Sequence, residues 1–145
     1  MGAIDAITHN IVTVCNTTYI NHLSVMKLLE KIREIHKKSV ISISVFLDNA
    51  KYQRCKAVIE RAAFLNIELM FLPSYSPNLN LIEYFDTAQQ PRLWRWVKKD
   101  CLNCKYYRKF SEFKDAIDNS LNKIITGQAQ EDLNSLLNLK FQLFK

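Results

Sequence analysis

The chain has 145 residues, 48% of them apolar, and its 20 Lys and Arg outnumber 14 Asp and Glu for a net charge of +6. This length and apolar content are enough for one domain with a core, and the scarcity of Gly and Pro excludes a wholly disordered chain. No apolar run approaches the roughly 18 residues of a membrane-spanning helix, and the N-terminus lacks the basic-then-apolar pattern of a signal peptide. We therefore expect a single cytoplasmic domain over residues 1–145 that has no disulfide framework.

The N-terminal part of the chain predicts a hairpin followed by an amphipathic helix. Residues 2–7 and 10–15 are short β-prone runs separated by a turn. Asn21 or Ser24 offers an N-cap for a helix that ends near Lys38. The apolar residues of this helix recur at helical spacing: Val25, Leu28, Leu29, Ile32 and Ile35.

A strand, a helix and a second strand follow. Residues 40–47 predict a strand that ends on Asp48, and its few charges lead us to expect that both faces are covered. A second amphipathic helix is predicted close after Asp48, with Asn49 as its candidate cap, and residues 67–72 predict another buried strand. A strand, a helix and a second strand with a short connection back to the sheet form a parallel crossover unit. This unit predicts an α/β or mixed α+β fold.

Two carboxylates lie just past these strands, Asp48 directly and Glu83 after a Pro-containing loop, with 34 residues between them. The carboxyl ends of neighbouring parallel strands are where sites form, and hard carboxylate oxygens suit the divalent cations that phosphoryl transfer needs. A structural explanation also fits. Asp48 would then merely end a strand, and Glu83 would be the third helical residue of a capping box that begins at Asn80.

The segment from residue 92 to residue 114 carries eight basic against two acidic side chains, with Trp and Tyr interleaved. This excess favours a surface that faces a polyanion such as DNA, although a solvated helix face is equally compatible with charge alone. The candidate DNA-binding residues are Arg92, Arg95, Lys98, Lys99, Lys105, Arg108 and Lys109.

The C-terminal part predicts further helices. Residues 84–91 interrupt the helical pattern, and Pro91 suits the start of a new helix. A helix with a Phe-rich start is predicted from a cap near Ser111 to a stop near Gly127. The apolar tail beyond it predicts one more packed helix or a partner-binding arm.

Three segments carry a family resemblance: LDNAKYQR, FLPSYSPNLNLIE and RLWRWVKKDCLNCKYY. Together with the Phe-rich helix, they resemble the catalytic domain of bacterial insertion-sequence transposases of the mariner superfamily, from about Gly2 to the C-terminus. The resemblance implies a ribonuclease-H-like mixed sheet flanked by helices, with Mg²⁺ (or Mn²⁺) as cofactor and DNA as substrate. It also implies DNA cleavage and strand transfer, with Asp48 as the second Asp and Glu83 as the final acid of an Asp-Asp-Glu triad.

The sequence departs from the family pattern at four points. The family's first strand and first catalytic Asp lie upstream of the segment that begins here, so we expect an N-terminally truncated domain, with Asp5 the only nearby acid that could substitute. Residues 84–91 stand between Glu83 and the basic helix, and eight extra residues rotate a continuous helix by about 80°. Gln53 stands where the family often has His, and the helix-turn-helix domains are absent.

These departures predict that the fragment is inactive alone. Without a first strand, either the hairpin pairs directly with strand 40–47 or an open edge remains, which favours a homo-oligomer or a complementing N-terminal fragment as partner. The alternative function is a non-catalytic nucleic-acid-binding or protein-interaction domain. A third, a small-molecule α/β domain, would need a deep apolar pocket at the Asp48 end.

Overall fold

A computed structural model describes residues 1–8, 10–37, 41–73 and 92–129, with the backbone alone at positions 92, 93 and 95. The chain divides into two compact units, Met1–Asn80 and Leu81–Lys145. No helix within the described ranges is long and apolar enough to cross a membrane.

The first unit begins with the predicted hairpin. Strand β1 (Gly2–Ile4) pairs antiparallel with strand β2 (Ile11–Thr13). Both strands are shorter than predicted because Asp5 ends β1 early. Its Oδ1 accepts the backbone N–H groups of Ile7 and Thr8 at 2.8 and 2.9 Å, which folds the chain into a turn.

Helix α1 (His22–Ile35) confirms the predicted amphipathic helix and the Asn21 cap, but it ends at Ile35 rather than near Lys38. The Asn21 side chain accepts the backbone N–H groups of Leu23 and Ser24 at 3.0 and 3.3 Å, so two of the unpaired first-turn donors are satisfied. The apolar stripe is buried through Val25, Leu28, Leu29 and Ile32.

The predicted parallel crossover is confirmed. Strand β3 (Ile43–Leu47) pairs in parallel with strand β4 (Ile67–Phe71), and helix α2 (Lys56–Phe64) connects them. The prediction that this helix is capped by Asn49 is wrong, since a 3₁₀ turn at Lys51–Gln53 comes first. Asn49 instead has φ +71°, a left-handed conformation that cannot lead directly into a helix.

The core of the first unit forms on one face of α1, in two clusters. The first consists of Val25 and Leu29 with residues of the crossover: Val58, Ala62 and Ile67. The second joins the hairpin to β3, because Val14, Leu28 and Ile32 are contacted by the partly buried side chains of Met1, Ala3, Val12, Ile43 and Val45. Both two-stranded sheets therefore pack on the same helix, yet in the described residues no strand hydrogen bonds join them.

The opposite face of the β3–β4 pair differs from expectation. Phe46 is 60% exposed and Met70 is 41% exposed. Between strands, the Ser44 hydroxyl donates to Glu68 at 3.0 Å. The expectation that both faces are covered is therefore not met. It was based on the few charges in residues 40–47, but serines in this strand are uncharged and still make one face partly polar.

The second unit contains helix α3 (Arg92–Val97), a π-helical turn (Lys98–Leu102) and helix α4 (Phe110–Ile125). The cap predicted near Ser111 lies two residues earlier, because Glu112 reaches back to accept the backbone N–H groups of Arg108 and Lys109. The helix ends before Gly127, which has φ +79° and confirms the predicted stop. The interruption at 84–91 and the apolar tail lie outside the described residues.

Candidate metal and DNA-binding site

Asp48 is the first residue after β3, and its side chain is exposed. Within the described residues it forms no ion pair, so its carboxylate is available to a ligand. The described residues contain no group of three or more metal-ligating side chains. Asp48 is thus not joined by two further metal-ligating side chains within the described part of the chain.

Glu83, the predicted second acid, lies outside the described residues, but the start of the chain that leads to it is visible. The strands are in register with Leu47 opposite Phe71, and the next N–H group, that of Leu72, donates to the Leu47 carbonyl at 2.8 Å. The chain that leaves β4 thus starts beside Asp48, at the same sheet end.

The segment after Asp48 folds locally through Gln53. The Gln53 side chain is 4% exposed, and its Oε1 accepts the Ala50 N–H at 3.1 Å. The Gln53 N–H donates in return to the Ala50 carbonyl at 2.9 Å. At the position where the family often has His, this chain therefore has a buried side chain that stabilises a turn.

Two exposed cations close to Asp48 were not among the predicted site residues. Lys51 lies in the 3₁₀ turn, and Arg54 follows it with its guanidinium 5.1 Å from the centre of the Phe71 ring. This stacking holds Arg54 near the end of β4. Their position within six residues of Asp48 in LDNAKYQR was the signal that could have identified them.

Asp5, considered as a substitute for the first catalytic Asp, serves the hairpin instead. Besides the two turn N–H groups on Oδ1, its Oδ2 lies 3.8 Å from His36 Nε2. Burial acts to raise the pKa of Asp5, but the hydrogen bonds from Thr8 and Ile7 and the nearby His36 outweigh it and hold that pKa below its ordinary value. A carboxylate already occupied by backbone donors is a poor metal ligand.

The basic segment, residues 92–114, lies in the second unit. Arg92 and Arg95 lie on α3, and the structure describes only their backbone. The other candidates are exposed: Lys98, Lys99, Lys105, Arg108 and Lys109. Lys105 Nζ donates to the Asp100 carbonyl at 2.6 Å, which ties it to the π-helical turn.

The single acid of this turn, Asp100, is neutralised. Lys123 Nζ lies 3.0 Å from each Asp100 carboxylate oxygen. Burial acts to raise the pKa of Asp100, but the hydrogen bond and charge of Lys123 outweigh it and hold that pKa below the ordinary 3.8. Because Lys123 on α4 pairs with Asp100, this carboxylate does little to balance the positive charges of the exposed cations beside it.

A protein-family model described as DDE superfamily endonuclease matches residues 1–114. The chain belongs to this family. The match contains Asp48, Glu83 and every candidate cation of the basic segment. A comparison with curated protein sequences gave no match.

Among solved structures, this chain is similar to the catalytic domain of Mos1 transposase, in a structure described as containing raltegravir and Mg. The two chains are 16% identical, with a TM-score of 0.52, and the match covers 93% of this chain and 70% of that one. At this identity the likeness concerns the fold, and it confirms the ribonuclease-H-like mixed α+β class.

Proposed function

We propose that this chain is the catalytic-domain part of a mariner-superfamily transposase from a bacterial insertion sequence. In this proposal it binds DNA and a divalent cation but does not cleave DNA by itself. The observation that carries the proposal is the placement of Asp48. It is an exposed carboxylate at the carboxyl end of β3, beside the point where the chain toward Glu83 leaves β4.

The residues fit a hard cation. Asp48 offers carboxylate oxygen, as Mg²⁺ or Mn²⁺ prefers, and Glu83 would supply the second carboxylate. Bound cations of this kind activate the attacking oxygen and stabilise the leaving oxygen in phosphoryl transfer. In this proposal the chain's own contribution would be to supply the two acids and the cations that bind the DNA backbone.

The proposal that the isolated chain does not cleave DNA is supported by the lack of a three-acid cluster in the described residues. Asp5, the only early candidate, is occupied by its turn. The two small sheets share α1 but do not pair, so a further strand could join them. A complementing N-terminal segment would provide that strand and its carboxylate, whereas a second copy of this chain would only cover the open edge.

DNA binding is assigned to the basic segment together with Lys51 and Arg54. The exposed cations of the segment would neutralise phosphates and release counterions, which gives affinity without sequence specificity. Lys51 and Arg54 lie close to Asp48 and would hold the strand that is to be cleaved.

The test measures DNA binding and nicking by the full chain in Mn²⁺ and in EDTA. We expect Mn²⁺ to strengthen binding of the wild-type chain, Glu83→Gln to remove that gain, and no nicking by the wild type. Nicking that disappears in Asp48→Ala would overturn the inactivity of the isolated chain.

A non-catalytic nucleic-acid-binding domain is the second candidate, favoured by the described cations that lack an ion pair. Its affinity would also fall with salt, but it would be equal in Mn²⁺ and EDTA and unchanged by Glu83→Gln.

A further inference from the structure

Asn49, the residue directly after Asp48, has an unusual backbone. Its φ is +71°, in the left-handed region that few residues other than Gly occupy, although Asn is among those that tolerate it. The turn it makes sets the direction in which the chain, and with it the neighbouring Asp48, leaves β3.

The Asn49 side chain adds a second local cost in folding free energy. Its Oδ1 is buried and accepts no hydrogen bond from the described residues. Most buried polar atoms in folded proteins are paired, so such an acceptor needs an explanation, and an unfilled ligand position is one.

The local fold does not account for this acceptor. The turn is already held by the reciprocal hydrogen bonds between Ala50 and Gln53, so the Asn49 oxygen is not needed for it. Asn66 offers a comparison, because it also has a left-handed φ, +52°, at the opposite end of the strand pair. The Asn66 residue is exposed, so a left-handed Asn is not by itself placed with a buried oxygen.

We propose that Asn49 is a positioning residue for the cation site at Asp48. Its left-handed backbone orients the end of β3, and its buried oxygen is an acceptor that is satisfied when a hydrated divalent cation binds beside Asp48. Mg²⁺ and Mn²⁺ keep part of their hydration shell in such sites, and these waters are hydrogen-bond donors. The inference rests on the proposed metal function of Asp48.

The test measures Mn²⁺ affinity and the thermal midpoint of the full chain for five proteins: wild type, Asp48→Ala, Asn49→Gly, Asn49→Asp and Asn66→Gly. Gly adopts the left-handed backbone without strain, so Asn49→Gly removes the oxygen and keeps the turn. We expect about tenfold weaker Mn²⁺ binding, as for other residues that orient metal ligands, with little change in the midpoint.

The remaining variants separate positioning from structure. Asn49→Asp keeps an acceptor oxygen and should bind Mn²⁺ at least as tightly as the wild type, and Asn66→Gly should bind it equally well. Equal affinity of Asn49→Gly and wild type would overturn the inference alone. If Asp48→Ala leaves wild-type Mn²⁺ binding unchanged, the proposed function and this inference both fail.

Discussion

The backbone N–H of Leu72 donates to the carbonyl oxygen of Leu47 at 2.8 Å, one residue beyond the last paired residue of β4. This bond extends the parallel pairing to the point where Asp48 begins. The chain toward Glu83 therefore starts at the same sheet end as Asp48, which supports the proposal that the two acids act together.

The first unit should depend on the side chains that α1 buries. Leu29 is fully buried, and we expect Leu29→Ala to lower the free energy of unfolding by about 2–5 kcal/mol, since a cavity is left in the core. Urea unfolding measures this. Leu23 on the same helix is 50% exposed, so Leu23→Ala is the matched control and should cost much less. Equal losses would contradict this account of the core.

Arg33 should stabilise the corner between α2 and β4. Its Nε donates to the Leu65 carbonyl at 2.6 Å and its Nη2 to the Asn66 carbonyl at 2.5 Å. Charged hydrogen bonds of this kind contribute about 1.5–3 kcal/mol, so Arg33→Ala should lower the free energy of unfolding by that order. Lys37, whose pair with Glu34 is exposed, gives the control Lys37→Ala, which should change it little. A loss no larger than in the control would contradict the role of Arg33.

The sequence predicted helices and strands correctly where the apolar pattern and the local capping residues agree. The apolar positions of α1, its Asn21 cap and the strand–helix–strand order follow from periodicity, because one face of each element is buried. Asn49 was misassigned as a cap because Asn is favoured both at N-caps and in left-handed turns, and only the backbone separates the two. The cap of α4 was misplaced because Glu112 reaches backward.

The candidate site was less predictable than the fold. That Asp48 is exposed at a sheet end follows from the crossover pattern, whereas the occupation of Asp5 by its turn and the burial of Gln53 depend on side-chain directions that spacing does not give. The prediction that Glu83 joins Asp48 stays a prediction.

The ion pair between Asp100 and Lys123 should make stability depend on pH. Because the pKa of Asp100 is lowered in the folded chain, its contribution is present above the ordinary 3.8 and is lost as the pH falls through the lowered pKa. We expect Lys123→Met to cost about 0.2–1 kcal/mol at pH 7, a difference that shrinks toward pH 3. Urea unfolding at pH 7, 5 and 3 measures it. A difference that grows on acidification would contradict the assignment.

The π-helical turn should contribute to DNA affinity. Lys98 and Lys99 are exposed, and we expect the double variant Lys98→Ala/Lys99→Ala to weaken DNA binding. The slope of log affinity against log salt should also fall by about 2, because each lost phosphate contact removes about 0.9. The control is Lys27→Ala/Lys56→Ala, which removes the same charge from exposed positions of the first unit. Equal effects would indicate a response to net charge alone.

The central claim, a divalent-cation site shared by Asp48 and Glu83, is tested most directly by calorimetric titration of the full chain with Mn²⁺. We expect binding by the wild type that is lost in both Asp48→Ala and Glu83→Gln. The control Glu68→Gln, which alters an exposed carboxylate on β4, should retain it. Binding that persists unchanged in both Asp48→Ala and Glu83→Gln would contradict the claim.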